Sequence, residues 1–270
     1  QKLPKVVIPV AMAGQSPDME AIFVLSQKYG FRIVEDNSHA LGAEHLGLKV
    51  GGCQFSDISV FSFHPVKMIT TGEGGACSTN DPALARRMER LRSHGITRSQ
   101  EEMVSPRGIP YYYEQIELGY NYRITDFQCA LGISQLTRLD EFVAQRNAIA
   151  SLYSAKLDPT FFDLPFTSAN NVSSFHLYIV RIKEDLGSIR DELFQHLRSI
   201  GILVNLHYIP IYRHPYYCKT GLYSDLDFPH AESYFRRAIS LPIHPSLDDR
   251  EVDFVSNAMM DYWNSARARI

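Results

Sequence analysis

Cysteine is scarce and scattered in this sequence of 270 residues. The four that occur, Cys53, Cys77, Cys129 and Cys218, form no C-x-x-C pair. That argues against a zinc site and against a disulfide framework, and favours a reducing, cytoplasmic setting. Long apolar runs are also missing. No stretch approaches the ~20 residues that a bilayer-spanning helix needs, so no membrane is expected as a partner. There is no basic excess: Lys and Arg number 27, Asp and Glu 30, and the formal net charge is -3. General nucleic-acid binding is therefore not expected. The opening Gln1–Val10 stretch is too short and wrongly built for a signal peptide. No internal repeat or low-complexity tract interrupts the chain. What is present is the composition of a globular protein, 45% hydrophobic and 21% charged. The length permits one large core or two smaller ones. Fifteen tyrosines and fifteen phenylalanines suit a substantial core and an aromatic-lined site or interface.

Val6–Val10 reads as a strand. Ser16 can cap a following helix, with Pro17 at its first position and Met19, Ile22 and Phe23 on one face. Gly30 closes that helix, and Phe31–Glu35 is the next strand. This order predicts a parallel pair joined by a right-handed crossover. Ile58–Phe63 reads as a buried strand, and Ala76–Thr79 as a short strand returning from the loop between them. Asp81 caps a helix with Pro82 first and Leu84, Met88 and Leu91 along one side. Its arginines, Arg86, Arg87, Arg90 and Arg92, read as a solvated face. Residues 96–123 form a tyrosine-rich loop without periodicity. Thr125 and Asp126 then open one long helix running toward Leu157. A composition shift at Asp158-Pro159 and Thr167–Asn171 marks a domain boundary, giving a large domain 1–157 and a small α+β domain 158–270. In the latter, Leu177–Ile182 and Ile202–Leu206 read as strands. Ser188 caps a helix with Ile189, Leu193 and Leu197 inward. Ala231–Ala238 is helical and Ile239–Leu241 extended. Asp248 with Glu251 opens a last helix whose face is Val252, Val255, Met259 and Trp263.

Two strand ends carry the chemistry. Asp36 follows one strand and Lys67 follows another, and ligands of open α/β sheets bind outside the carboxyl ends of strands. Lys67 sits in mostly uncharged surroundings, with Gly72, Gly74 and Gly75 close behind. Burial there would disfavour the ammonium and leave a neutral amine able to condense with an aldehyde. The bland alternative is a solvated loop lysine beside a glycine-rich turn. Asp36 has its own bland alternative, a capping or turn aspartate. Taken together, the pair has the parts that a pyridoxal phosphate site requires: a carboxylate to keep the pyridine nitrogen protonated, and a lysine to hold the aldehyde and shuttle a proton. Ser62, five residues before Lys67, could donate a hydrogen bond to the phosphate.

Several separated motifs extend this pattern. They are Glu35-Asp36-Asn37-Ser38-His39-Ala40-Leu41-Gly42, Ser59-Val60-Phe61-Ser62-Phe63-His64-Pro65-Val66-Lys67, Gly72-Glu73-Gly74-Gly75 and Leu118-Gly119-Tyr120-Asn121-Tyr122-Arg123-Ile124-Thr125-Asp126. With Asn205-Leu206-His207-Tyr208-Ile209-Pro210 and Ser240-Leu241-Pro242-Ile243, they closely resemble the DegT/DnrJ-type sugar-nucleotide aminotransferases over nearly the whole chain. The resemblance implies an α/β, fold-type I pyridoxal-phosphate transferase, with a mostly parallel central sheet and a small C-terminal α+β domain. It implies that Lys67 carries the cofactor, Asp36 meets the pyridine nitrogen, Ser62 meets the phosphate and His39 lies beside the ring. Asn121 would reach the phosphate of a neighbouring subunit, making the active unit a homodimer. His207 and Tyr208 would lie near the substrate.

The activity so implied is transfer of an amino group from glutamate to C4 of a UDP-linked 4-keto-6-deoxy-N-acetylhexosamine. The alternatives are another 4-keto sugar nucleotide, such as a dTDP-linked one, and a non-catalytic dimerising remnant. Lys67 itself distinguishes the chain from the related sugar dehydratases, which have histidine there. Family members begin with a further segment bearing a Gly-Thr phosphate-binding turn and a cofactor-stacking aromatic. The sequence starts after it, so the central sheet is expected to be N-terminally incomplete and the chain by itself to bind the cofactor poorly or not at all.

Overall fold

The computed structural model describes residues 2–105, 108–183 and 189–267. Ser188, expected to cap a helix, lies outside them. The chain forms two compact units. The first comprises the residues up to Met12 and Ser16–Leu139; the second comprises Ala13–Gln15 and the chain from Asp140 onward.

In the first unit, β1 (Val6–Val7) leads to α1 (Met19–Tyr29) and then β2 (Arg32–Asp36). The helix is capped by Asp18, which accepts the Ala21 N–H at 3.0 Å, and not by the expected Ser16, whose hydroxyl donates to the Pro17 carbonyl. Asp18 is the residue whose carboxylate reaches a free amide of the first turn. A hairpin of β3 (Glu44–His45) and β4 (Leu48–Lys49) precedes β5 (Ile58–Ser62) and β6 (Gly75–Ser78). The main sheet has the order β1-β2-β5-β6. The first two pairings are parallel and β5–β6 is antiparallel, so Lys67 lies in the loop joining an antiparallel pair.

α2 (Pro82–Leu91) is capped by Asp81 as the sequence indicates. Its arginines are not all a solvated face. Arg90 donates to Glu117 through Nε at 2.7 Å and pairs with Glu102 at 3.1 Å, while Arg87 reaches Glu117 at 3.4 Å. The hydrogen bond from Arg90 is the largest influence holding the Glu117 carboxyl below the usual carboxylate range. Local periodicity cannot show such a pairing, because the carboxylates arrive from the loop between β7 (Ile96–Thr97) and α3 (Asp126–Leu136), which includes β8 (Glu114–Gln115). β7 and β8 pair antiparallel, giving that loop a frame that the sequence pattern lacks.

The single long helix expected from Thr125 toward Leu157 is two helices. α3 is capped at Thr137, and α4 (Leu139–Lys156) begins afresh. The Thr137 hydroxyl bonds back to the Ser134 carbonyl at 2.8 Å in the last turn. The division between the units falls at this break and not near residue 157. The reason is packing: Ile149, Ala150, Tyr153 and Leu157 belong to the core of the second unit.

That core is formed by α4 with β9 (Phe162–Asp163), β11 (Tyr178–Ile182), α5 (Arg190–Ser199), β12 (Ala238–Leu241) and α8 (Asp249–Arg267); β10 (Asn171–Val172), α6 (Pro215–Cys218) and α7 (Pro229–Arg237) also belong to this unit. β12, β11 and β9 make an antiparallel sheet. Tyr178, Val180 and Ile182 point to one face of β11 and are fully buried with Leu193, Leu197, Met259 and Trp263. Burial of each aliphatic side chain contributes about 2 kcal/mol. The expected strand at Ile202–Leu206 is reduced to one bridge between Asn205 and Ser240. Asp248 and Glu251 cap α8 reciprocally, each backbone N–H donating to the other's carboxylate at 2.9 Å.

Ala13–Gln15 is tied into this unit: the Gly14 carbonyl accepts the Ser174 N–H at 2.9 Å. Gly14 has φ 109, and a Cβ there would stand 2.8 Å from the Phe175 nitrogen, so both torsion and space require glycine. Arg146 of α4 is buried, and among the described residues no carboxylate pairs with it. Its Nη1 donates to the carbonyls of Phe175, His176 and Ile243 at 3.1, 3.3 and 3.0 Å. Burial pushes its pKa down to about 10.

Candidate active site

The β2 and β5 ladders place the first two side chains. Asp36 pairs with Val60 in the parallel register, its N–H donates to the Pro9 carbonyl at 2.9 Å, and its carbonyl accepts the Ala11 N–H at 3.0 Å. With its backbone fixed, the carboxylate stands at the carboxyl end of the sheet, where Oδ1 accepts the Ser38 N–H at 3.0 Å. Asp36 thus makes the turn contact that its bland reading predicts and also acts at longer range, because its charge is felt by Lys67. Ser62 ends β5. Its Oγ accepts the His64 N–H at 3.4 Å, which leaves the hydroxyl proton available to an anion.

Lys67 is half-buried. Burial lowers its pKa below the ordinary lysine value, and the Asp36 carboxylate offsets part of that shift. The expectation of a desolvated amine near an acid is met at this position, since desolvation is the larger of the two influences. His39 is buried three residues beyond Asp36. Below the strand ends lies a polar cluster that sequence pattern does not announce. Asn37 donates to Glu35 Oε2 at 2.8 Å and to Ser59 Oγ at 2.7 Å, and Ser56 donates to the other Glu35 oxygen. These bonds hold the Glu35–Asn37 turn from beneath and so orient Asp36 between them.

Three other predicted residues are carried by other segments of the chain. Asn121 is exposed, on a bridge to Ser93, where Tyr120 and Tyr122 donate their N–H groups to the Leu91 and Arg92 carbonyls at 2.7 and 2.9 Å. The rings of Tyr120 and Tyr122 stack beside it at 4.7 Å. His207 and Tyr208 belong to the second unit. His207 Nδ1 lies 2.7 Å from Ser240 Oγ, its carbonyl accepts the Tyr234 hydroxyl at 3.0 Å, and the two rings meet edge to face at 4.7 Å.

The donor set fits pyridoxal phosphate: a partly desolvated amine for the aldehyde, a carboxylate for the ring nitrogen, and a strand-end hydroxyl for the phosphate. Residues 1–260 match the model of the DegT/DnrJ/EryC1/StrS aminotransferase family, and the chain belongs to that family. It is 36% identical over 251 residues to the UDP-4-amino-4,6-dideoxy-N-acetyl-beta-L-altrosamine transaminase of Campylobacter jejuni, covering 93% of this chain and 63% of that protein. It superposes on Helicobacter pylori PseC, an aminotransferase involved in the biosynthesis of pseudoaminic acid, with a TM-score of 0.88 and 32% identity, over 97% of this chain and 67% of that one. A Streptococcus pneumoniae protein assigned as a sugar aminotransferase, solved in its PLP form, matches with a TM-score of 0.82 and 28% identity, over 94% of this chain and 67% of that one. The fold is that of the pyridoxal-phosphate-dependent aminotransferases, and family and neighbours indicate pyridoxal phosphate as the cofactor. The chain spans about two thirds of the length of the curated relatives it matches, 66% of each of the first two.

Proposed function

We propose that this chain supplies the lysine, the acid and a phosphate-binding hydroxyl of a sugar-nucleotide aminotransferase. The observation that carries this reading is the Lys67 amine, partly desolvated in the loop that follows β5, within the field of Asp36 at the end of β2, the parallel neighbour of β5. Pyridoxal phosphate, when bound, supplies an aldehyde carbon and an electron-withdrawing ring. Lys67 Nζ would hold the cofactor's aldehyde carbon and would carry a proton to and from the substrate carbon. Its lowered pKa keeps more of it in the neutral form that such a base needs. Asp36 holds a proton at the ring nitrogen. Ser62 orients the phosphate through its hydroxyl, and His39 excludes water from one side of the ring.

The substrates we assign are a UDP-linked 4-keto-6-deoxy-N-acetylhexosamine, aminated at C4, and glutamate as donor. The Campylobacter relative's name supports the sugar. His207 and Tyr208 are assigned to the sugar-nucleotide side. We assign the active unit as a homodimer in which Asn121 serves the partner's phosphate. In support, Asn121 is exposed among apolar side chains suited to an interface: Leu118 and Phe127 are each 90% exposed, and Tyr122 is 72% exposed. We take the setting to be cytoplasmic, in keeping with four free cysteines. Among the described residues, no helix is long and apolar enough to cross a membrane.

The assay is release of 2-oxoglutarate from glutamate with UDP- and dTDP-linked 4-ketosugars side by side. Turnover preferring the UDP sugar is expected. Preference for the dTDP sugar would move the assignment to the other nucleotide, and no release with either would remove the aminotransferase reading from this chain.

A further inference from the structure

The loop that carries Lys67 returns through Gly72–Gly75, and one carbonyl in that return is held twice. The Glu73 oxygen accepts the Thr71 hydroxyl at 2.7 Å and the Gln128 side-chain Nε2–H at 2.7 Å. Thr71 is 3% exposed and wedged between the loop and α3: a Cβ on Gly74 would collide with its hydroxyl, and one on Gly132 would stand 2.8 Å from its methyl group. Gln128 is also the third residue of α3. Its Oε1 accepts the Thr125 N–H at 3.0 Å and lies 3.0 Å from the Thr125 hydroxyl, while its own N–H donates to Thr125 Oγ1 at 3.4 Å. The orientation of the amide is settled by these partners. Oxygen faces the Thr125 donors and nitrogen faces the Glu73 carbonyl; the flipped amide would set donor against donor and acceptor against acceptor.

We propose that Gln128 is a positioning residue that locks the Lys67 loop to the start of α3, and through it to the Asn121–Thr125 segment. The inference rests on the reading of Lys67 as the cofactor lysine for its purpose, but not for its geometry. A helix cap alone would need only the side-chain oxygen, and glutamate serves that role in an ordinary capping box. The nitrogen has a separate task.

Gln128→Glu divides the two. The variant keeps both cap contacts at Oε1 and loses the donor to Glu73, placing a carboxylate oxygen against a carbonyl oxygen. Thr125→Ala does the reverse, losing the side-chain cap and keeping the donor. Hydrogen exchange on the unliganded chain is followed by peptide for 63–75 and for the first turns of α3, and labelling of Lys67 by pyridoxal phosphate and borohydride is followed separately. For Gln128→Glu we expect exchange in 63–75 to rise roughly fivefold or more, the scale of one lost hydrogen bond. The α3 peptides should stay unchanged and Lys67 labelling should fall. For Thr125→Ala we expect the rise in α3 and not in 63–75. If Gln128→Glu leaves 63–75 at the wild-type rate, or loosens α3 to the same degree, the proposal is overturned and Gln128 is a cap only. Should the wild-type protein fail to label at Lys67, the cofactor reading falls while the exchange result still decides the locking role.

Discussion

Asp36→Asn lowers the pH at which Lys67 becomes half neutral, and it costs turnover of the ketosugar about 10²- to 10⁴-fold, the range of a lost acid–base group. The two effects have one origin. Among the described residues, the Asp36 carboxylate is the charge that raises the Lys67 pKa, working against the larger effect of burial. Remove it and burial acts unopposed, so the amine sheds its proton at lower pH. The fold should survive, because asparagine retains the Oδ1 that accepts the Ser38 N–H, and the Glu35–Asn37–Ser59 bonds beneath do not involve Asp36. Linkage gives a further sign. With the folded pKa of Lys67 below the unfolded value of about 10.4, the unfolded chain binds more protons between the two values. Stability contributed by this group therefore rises with pH across that window, and Asp36→Asn extends the window downward. A pH series of Lys67 labelling measures the midpoint without reference to turnover. A midpoint that stays put or moves up would show that Asp36 does not act on the amine.

The second large effect concerns stability. Arg146→Met should destabilise the second unit by roughly 2–4 kcal/mol. Two opposing terms decide the sign. Among the described residues no carboxylate pairs with the buried guanidinium, and its pKa falls to about 10, so the charge itself is costly to keep there. Against this, one terminal nitrogen serves the carbonyls of Phe175, His176 and Ile243, and methionine leaves them without that donor inside a packed region. Orphaned buried acceptors cost about 1–3 kcal/mol each, which outweighs the recovered desolvation. Thermal or urea unfolding reads the change. Arg146→Lys should fall between the two: an ammonium can donate to the carbonyls that Nη1 serves, but its shorter side chain must reach the Nη1 position and its more strongly hydrated charge costs more to bury. A methionine variant as stable as wild type would show that the carbonyls find other partners.

The parts of the site legible in the sequence are those set by local pattern. Apolar runs locate β2 and β5, and the rule that parallel strands present their carboxyl ends to ligands singles out Asp36 and Lys67 as candidates. The parts that were not legible depend on partners far along the chain. Arg146 reaches Ile243 across 97 residues, and Arg90 reaches Glu117 across 27, so neither helix face could disclose its arginine's fate. Gln128 reads as an ordinary third helical residue until the Glu73 carbonyl, 55 residues earlier, is seen against it. The break at Thr137 escaped because apolar spacing continues through it, and only packing of α4 into the second core shows where one unit stops. His207 and Tyr208 rest on resemblance, with no local signal of their own, and of the two His207 contacts Ser240.

The most direct test is covalent. The protein expressed from its whole reading frame is incubated with pyridoxal phosphate, reduced with borohydride, digested and mapped. The label should sit on the peptide bearing Lys67, with its pH midpoint below that of an ordinary lysine, and should vanish in Lys67→Ala. A label on another lysine, or equal labelling of the two proteins, would contradict the assignment of Lys67 as the residue that takes the cofactor.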